Sequence, residues 1–522
     1  MTFDDKESYS VGIDIGTSGI RLLVLNTKGM ITEKQMVNYK SLNDENWRIW
    51  DDEKRIDVIK LRIKVVDLLK TLSNSLSKIK IKSLGISSIG PSILLLSNKA
   101  EPITNAYTYA YEGAQDYVKY LKEDFQERTG SLYSGALPYV QLLKIAEEGL
   151  IKECSKITTI NDYINWYMTG LSLEKIFSTI PNASYTGLYS LKEENWDKEL
   201  LSRLGLKMLN LPIIVPLGTK YSLREDLKSI PMFQKTLIVT GTIDGIDAFW
   251  ATESRNEKTL VGSASTTGAL RKWRNKKVKH FKSRLIQCVQ VSKDTWVELI
   301  PFNNVGTSFT WLATNFRGKY KKYLTKTNHL DIRKLEFESK KRIEYNKNQL
   351  SDYLLKIPLY FPYIEGEPRG PNARGKIKGG FILKENINFS CLDLYISLVI
   401  GISNMYRHNF EMIDSSSKFS EIRLTGLIAR KSPLFLQFLA TLTNLNVIVM
   451  KTEQSVAWAT AMRALNYVNE IEIFPEVPIY DPILPMKGEI KKILNSLYSE
   501  YMTVYISPDN YDMIISEEEL NY

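Results

Sequence analysis

Cysteine and histidine are scarce in this chain, with three of each among 522 residues. Cys154, Cys288 and Cys391 stand far apart and share no paired spacing, which argues against a disulfide framework and against a thiolate zinc site. His280, His329 and His408 are too few and too scattered for a histidine-rich metal centre. No run of 18 apolar residues occurs, so no membrane-spanning helix and no membrane partner are expected. The opening Met1 to Ser8 is polar and acidic and does not read as a signal peptide, which points to the cytoplasm.

What is present is ordinary for a globular protein: 43% hydrophobic and 25% charged residues, in a chain long enough for two domains. Sixty-nine basic against 59 acidic residues leave a formal charge of +10. Lysine and arginine concentrate at Arg271–Lys279, Lys319–Lys322 and Lys340–Arg342. A nucleic-acid-binding face would need stacking aromatics interleaved with that charge. A solvated, lysine-rich surface is the simpler reading, and no nucleic-acid partner is expected.

One stretch near the start carries chemistry. An apolar run, Tyr9 to Ile15, and a second, Ile20 to Leu25, flank the short segment Gly16-Thr17-Ser18-Gly19. The pattern predicts a β-hairpin with a tight turn. Asp14 brings an acceptor-only carboxylate, Thr17 a hydroxyl and Arg21 a permanent charge. Backbone N–H groups in such a turn can cradle phosphate oxygens, with Asp14 facing a hydrated Mg²⁺; a plain hairpin with a solvated Asp and Arg is the alternative. Midway along, Leu237 to Thr240 is a short β-branched strand running into Gly241-Thr242-Ile243-Asp244-Gly245. A carboxylate there is held either at a cleft floor or as the N-cap of the helix that follows.

The motif Asp14-x-Gly16-Thr17-x-x-x-Arg21 resembles the first phosphate motif of the FGGY carbohydrate kinases, within the actin/hexokinase/Hsp70 ATPase superfamily. Further segments agree in order: Ile160–Gly170, the Gly241–Gly245 strand end, the turn Gly262–Gly268, Pro362–Gly375, and Glu421–Pro433. The resemblance spans about Ser10 to Tyr501. It implies an α/β fold of two RNase H-like (actin-like ATPase) domains, 1–236 on the sugar side and 237–522 on the nucleotide side, with an interdomain active-site cleft. It implies ATP-dependent phosphorylation of a sugar, polyol or sugar acid hydroxyl, with ATP and Mg²⁺ required. It is compatible with a homodimer.

Residue by residue, the resemblance gives Asp244 the role of catalytic base and Arg21 that of offsetting charge on the transferring group. Gly16, Thr17 and Ser18, with Gly262, Ser265, Thr266 and Thr267, would meet phosphate; Gly426 and Leu427 would meet adenosine. Asp14 and Asp244 would hold the metal. Trp47, Ser88, Tyr109 and Asp244 would face the sugar. The chain departs from the family at Ile49, Ile89, Pro91 and Leu427, which keeps a non-catalytic sugar- or nucleotide-binding protein of the same fold as the alternative. Asp162 reads as a helix cap or an anchor, and the tyrosines 107, 109 and 111 as a buried sheet face or a sugar-stacking wall. The lysine-rich segment 317–349 has no evident family counterpart and reads as an insertion.

Overall fold

The computed structural model describes residues 8–39, 48–76, 79–278, 280–364, 379–384, 389–413, 419–451, 454–470, 479–507, 511, 513–516 and 519. Its main elements run in the order β1 (Tyr9–Ile15), β2 (Gly19–Asn26), β3 (Ile31–Asn38), α1 (Val58–Ser75), β4 (Ile81–Ser88), α2 (Ile160–Thr169), β5 (Phe177–Thr179), β6 (Lys220–Ser222), β7 (Leu237–Val239) and α3 (Asp244–Ala251). There follow β8 (Thr259–Ala264), β9 (Gly268–Arg274), β10 (Thr295–Phe302), α4 (Gly306–Asn315), α5 (Ile332–Tyr345), α6 (Cys391–Ile413), β11 (Glu421–Thr425), α7 (Leu427–Lys431), α8 (Pro433–Thr443), β12 (Asn446–Val449), α9 (Ser455–Asn469) and α10 (Glu489–Ile506).

The chain forms two compact units. The first comprises residues 1–255, 274–297 and 454–477, so it carries the chain past 236, through β7 and α3. Its sheet has the order β6-β7-β4-β1-β2-β3. β1 is antiparallel to β2 and parallel to β4, and β7 is parallel to β4. Every residue of β1 is buried, as a strand covered on both faces must be. Alternation along the strand separates two kinds of residue. Tyr9, Val11, Ile13 and Ile15 join a core with Leu61, Val65 and Leu69 of α1 and Ile160, Tyr163 and Ile164 of α2. Fully burying each Val, Leu or Ile of this set stabilises the unit by about 1.5–3 kcal/mol.

The other face of β1 presents Ser10, Gly12 and Asp14, and α9 lies against it. Gly12 has no Cβ because one would fall 2.0 Å from the Ala457 carbonyl, and a Cβ on Gly85 of β4 would fall 2.7 Å from that of Thr460. The Ser10 hydroxyl donates to the Ala461 carbonyl at 2.7 Å. The alanines at 457, 459, 461 and 464 are all buried, as close helix–strand packing requires. The first unit is thus completed by a helix from late in the chain.

The second unit comprises residues 256–273, 298–453 and 478–522. Its strands follow β10-β9-β8-β11-β12, which repeats the topology of β3-β2-β1-β4-β7. Again a hairpin (β8 with β9) is joined by two parallel strands, β11 beside β8 and β12 beside β11. Segment 317–349, read as an insertion, is largely helical here, and Ile332, Leu335, Glu336 and Ser339 of α5 are buried. Both units are therefore mixed α/β sheets flanked by helices.

Candidate active site

Asp14 and Asp244 lie at one edge of the first sheet. Asp14 is the penultimate residue of β1, in register with Arg21 of β2 and Ser87 of β4. Beyond β7 the chain runs on beside β4, Ile243 bridging to Ser88, and turns directly into α3 with Asp244 as its first helical residue. Ile243 is the N-cap, so Asp244 does not cap the helix. Its carboxylate is half-buried in the first turn, where the helix dipole favours negative charge.

The two acids sense each other. Burial pushes the Asp14 carboxyl up to about 6, against the lowering effect of Arg21, and the charges of Asp244 and Asp247 push the same way as burial. Arg21 Nη1 donates to Asp14 Oδ2 at 3.2 Å, and Nη2 to the Ser18 hydroxyl at 3.2 Å. The hairpin closes with Gly16 N–H donating to the Gly19 carbonyl at 2.9 Å, leaving Thr17 and Ser18 exposed at the tip. Trp50 Nε1 donates to the Thr17 carbonyl at 3.1 Å and pins that tip.

Asp247, one turn into α3, is fully buried. Arg463 of α9 donates to Asp247 Oδ1 through Nε at 2.7 Å and to the Thr240 carbonyl through Nη1 at 2.9 Å. The Thr460 hydroxyl donates to Asp247 Oδ2 at 2.9 Å. Asp247 is thus committed to α9, while Asp14 stands at the end of β1 and Asp244 at the start of α3. A desolvated carboxylate beside a second acid fits a divalent cation that keeps most of its waters.

In the second unit the turn Ser265–Thr267 stands where Gly16–Ser18 stands in the first. Ser265 N–H donates to the Thr267 carbonyl at 3.1 Å, and Gly306 at the start of α4 donates to the Ser265 carbonyl at 2.7 Å. Ser265 and Thr266 are exposed. Gly262, expected to open this turn, instead lies inside β8 between Leu270 and Leu424, because the strand continues to Ala264. Gly426 follows β11 with φ +110°, and a Cβ there would sit 2.3 Å from the Ala264 carbonyl. Leu427 beside it is 47% exposed, an apolar side chain offered to solvent at a glycine turn. At the far end of α7, where Ser432 joins it to α8, Glu336 of α5 accepts from the Ser432 hydroxyl at 2.6 Å, Leu434 N–H at 2.8 Å and the Tyr395 hydroxyl at 2.8 Å.

The residues expected to face the sugar fare unevenly. Trp47 lies outside the described residues, as do positions 365–375 of the Pro362–Gly375 segment. Ser88 is fully buried and donates to the Ile89 carbonyl at 3.2 Å. Tyr107 and Tyr111 are core, packed edge to face at 4.9 Å, whereas Tyr109 between them is half-buried. Ile49 and Ile89, at family-departing positions, are buried apolar residues. Asp162 is an anchor: Thr159 caps α2, and the Asp162 carboxylate accepts from Thr159, Ser178 and Asn182. Trp50, Arg463 and Glu336 were not singled out from sequence. Only Glu336 left a signal, an acid at a core-facing position of an amphipathic helix.

Comparison with known proteins agrees with this fold. The model of the FGGY family of carbohydrate kinases, N-terminal domain, matches residues 9–249, and that of the C-terminal domain matches residues 250–466. The chain is similar to a gluconokinase of Bacillus subtilis (22% identical, covering 94% of this chain and 97% of that protein). It is also similar to a xylulose kinase of Staphylococcus xylosus (23% identical, covering 95% and 100%). Among solved structures, a ligand-bound xylulose kinase from Lactobacillus acidophilus superposes with TM-score 0.80 at 19% identity, covering 96% of this chain and 98% of that one. A gluconate kinase from the same organism gives 0.78 at 19% identity, covering 96% and 98%. The chain belongs to the FGGY family of carbohydrate kinases. It is an ATP-dependent kinase of small carbohydrate hydroxyls.

Proposed function

We propose that the protein transfers the γ-phosphoryl group of ATP to a hydroxyl of an open-chain sugar, polyol or aldonic acid, with Asp244 as catalytic base. The observation that carries this reading is the pairing of two unlike carboxylates at one sheet edge. Asp14 is desolvated and tied to Arg21, whereas Asp244 is half-buried at a helix start. Asp244 orients the acceptor hydroxyl and takes its proton. Arg21 offsets charge on the transferring group. Thr17 and Ser18, with Ser265, Thr266 and Thr267, grip phosphate oxygens. Asp14 and Asp244 hold a hydrated Mg²⁺, which supplies charge neutralisation to the triphosphate. Gly426 lets the backbone lie against adenosine, and Leu427 packs on the purine.

The similarity to gluconate- and xylulose-phosphorylating relatives favours an open-chain substrate. Sugar recognition is assigned to 1–236, Tyr109 and Trp47 among its residues, and nucleotide recognition to 237–522. ATP supply and three free thiols among the described residues favour the cytoplasm, and a homodimer is the proposed assembly. The test is ADP release with ATP and Mg²⁺ across a panel of pentuloses, polyols and aldonic acids, for the parent and Asp244→Asn. The expected result is one strongly preferred acceptor and turnover lower by several powers of ten in the variant. An Asp244→Asn protein with near-parental turnover on that acceptor would remove Asp244 from the role of base.

A further inference from the structure

Between the end of β7 and the start of α3, residues 240–243 have left the regular strand, yet Thr240 and Thr242 are at most 1% exposed. Buried carbonyls there need donors. Side chains supply them, one residue after another. The Thr240 carbonyl accepts from Arg463 at 2.9 Å, that of Gly241 from the Thr179 hydroxyl at 3.1 Å, and that of Thr242 from both the Ser87 hydroxyl and Asn161 Nδ2 at 3.1 Å. The path that delivers Asp244 to the sheet edge is therefore drawn by side chains.

The orientation of Asn161 has a cause further back. Asn182 Nδ2 donates to Asp162 Oδ1 at 2.6 Å and to Asn161 Oδ1 at 2.9 Å. An ionised carboxylate only accepts, so Asp162 compels the Asn182 amide to turn its NH₂ inward. Asn161 must then answer with its oxygen, which takes a second, longer hydrogen bond from Asn165 Nδ2 at 3.2 Å, and its own NH₂ is left pointing at Thr242 and at the Ile86 carbonyl, 3.2 Å away. Asn182 Oδ1 is buried with no hydrogen-bond partner among the described residues. A relay that leaves an acceptor bare in order to aim its donors is held by a stronger constraint elsewhere. That constraint is the Asp162 carboxylate, fixed by the Ser178 hydroxyl at 2.6 Å and that of Thr159 at 2.9 Å.

We propose that Asp162 is a positioning residue for phosphoryl transfer, setting the direction of an Asn182–Asn161 amide relay that holds the Thr242 carbonyl and thereby places Asp244. The inference rests on the reading of Asp244 as base. Its test compares Asp162→Leu, Asp162→Asn and Asn161→Leu by steady-state kinetics, thermal unfolding and binding of a non-hydrolysable ATP analogue. Displacement of the base costs kcat, so Asp162→Leu and Asn161→Leu are expected to lose about 10- to 100-fold in kcat while both KM values stay within about threefold. Asp162→Asn keeps an acceptor oxygen for Asn182 and is expected to restore most of the loss. Folded variants with parental kcat, or with KM raised and kcat unchanged, would overturn the inference. Should Asp162→Leu not fold, Ser87→Ala removes the other donor on Thr242 without disturbing α2, and it too must lower kcat. If Asp244→Asn turns over normally, the base reading fails. If Asp244→Asn is inactive while Asn161→Leu and Ser87→Ala are not impaired, only the relay fails.

Discussion

Arg463 and Asp247 lie 216 positions apart in the chain and meet as an ion pair with no exposed side-chain surface on either partner. Removing one member strands the other without solvent. Arg463→Met is therefore expected to destabilise the protein by about 3–5 kcal/mol. Arg463→Met combined with Asp247→Leu should recover a large part of that loss, since neither charge is then orphaned. Thermal unfolding of the two single variants and the double variant gives the coupling directly. Additive losses would show that the pair contributes nothing as a pair.

The Asp14 carboxyl titrates near 6 in the folded protein against 3.8 ordinarily, chiefly through burial. Its folded-state value is raised, so the protonated form is the one folding favours. This contribution is fully present below about pH 4 and is lost as pH rises through about 6. Asp14→Asn, uncharged at every pH, should unfold at a higher temperature than the parent at pH 8, with the difference closing toward pH 5. The same variant should be nearly inactive. Chelation of divalent cations should abolish parental turnover, and kcat/KM, which reports the free enzyme, should rise with pH through an inflection near 6.

Gly12→Ala is expected to lower the melting temperature by several degrees, because its methyl carbon would overlap the Ala457 carbonyl and Ala461 nitrogen of α9. Gly85→Ala should act in the same direction through Thr460. An unchanged melting temperature for both would mean that α9 tolerates displacement.

Glu336→Gln should raise KM for ATP about tenfold with a smaller effect on kcat, the size expected when a hydrogen bond to a buried charged group is lost. The carboxylate of Glu336 is what ties Ser432 and Leu434 to α5 at the junction of α7 and α8, one short helix beyond the Gly426 turn. Unaltered KM for ATP alongside raised KM for sugar would move the turn away from the nucleotide.

The hairpin with Asp14 and the strand end with Asp244 were legible because both are local. An apolar run, a glycine and a polar residue in fixed order determine them over eight residues. Gly262 was misread as part of a turn because nothing in Gly-Ser-Ala-Ser-Thr-Thr-Gly tells a glycine inside a strand from one at its end; the register with Leu270 and Leu424 decides it. Tyr107 and Tyr111 form core while Tyr109 does not, because the strand there is only two residues long. Arg463 was invisible for a different reason. An arginine in an alanine-rich helix is ordinarily a solvated residue, and only its distant partner makes it a buried one. Segment 317–349 reads as an insertion because it is lysine-rich and has no evident family counterpart; buried positions on one face of α5 seat it.

The placement of α9 has a bearing on biogenesis. The sheet that carries Asp14 lacks the helix on its Gly12 face until synthesis has passed residue 469, some 450 residues beyond β1 in the sequence. Through that interval Gly12 and Gly85 border an open groove in the nascent chain, and a message truncated anywhere before α9 yields a product whose first unit cannot close.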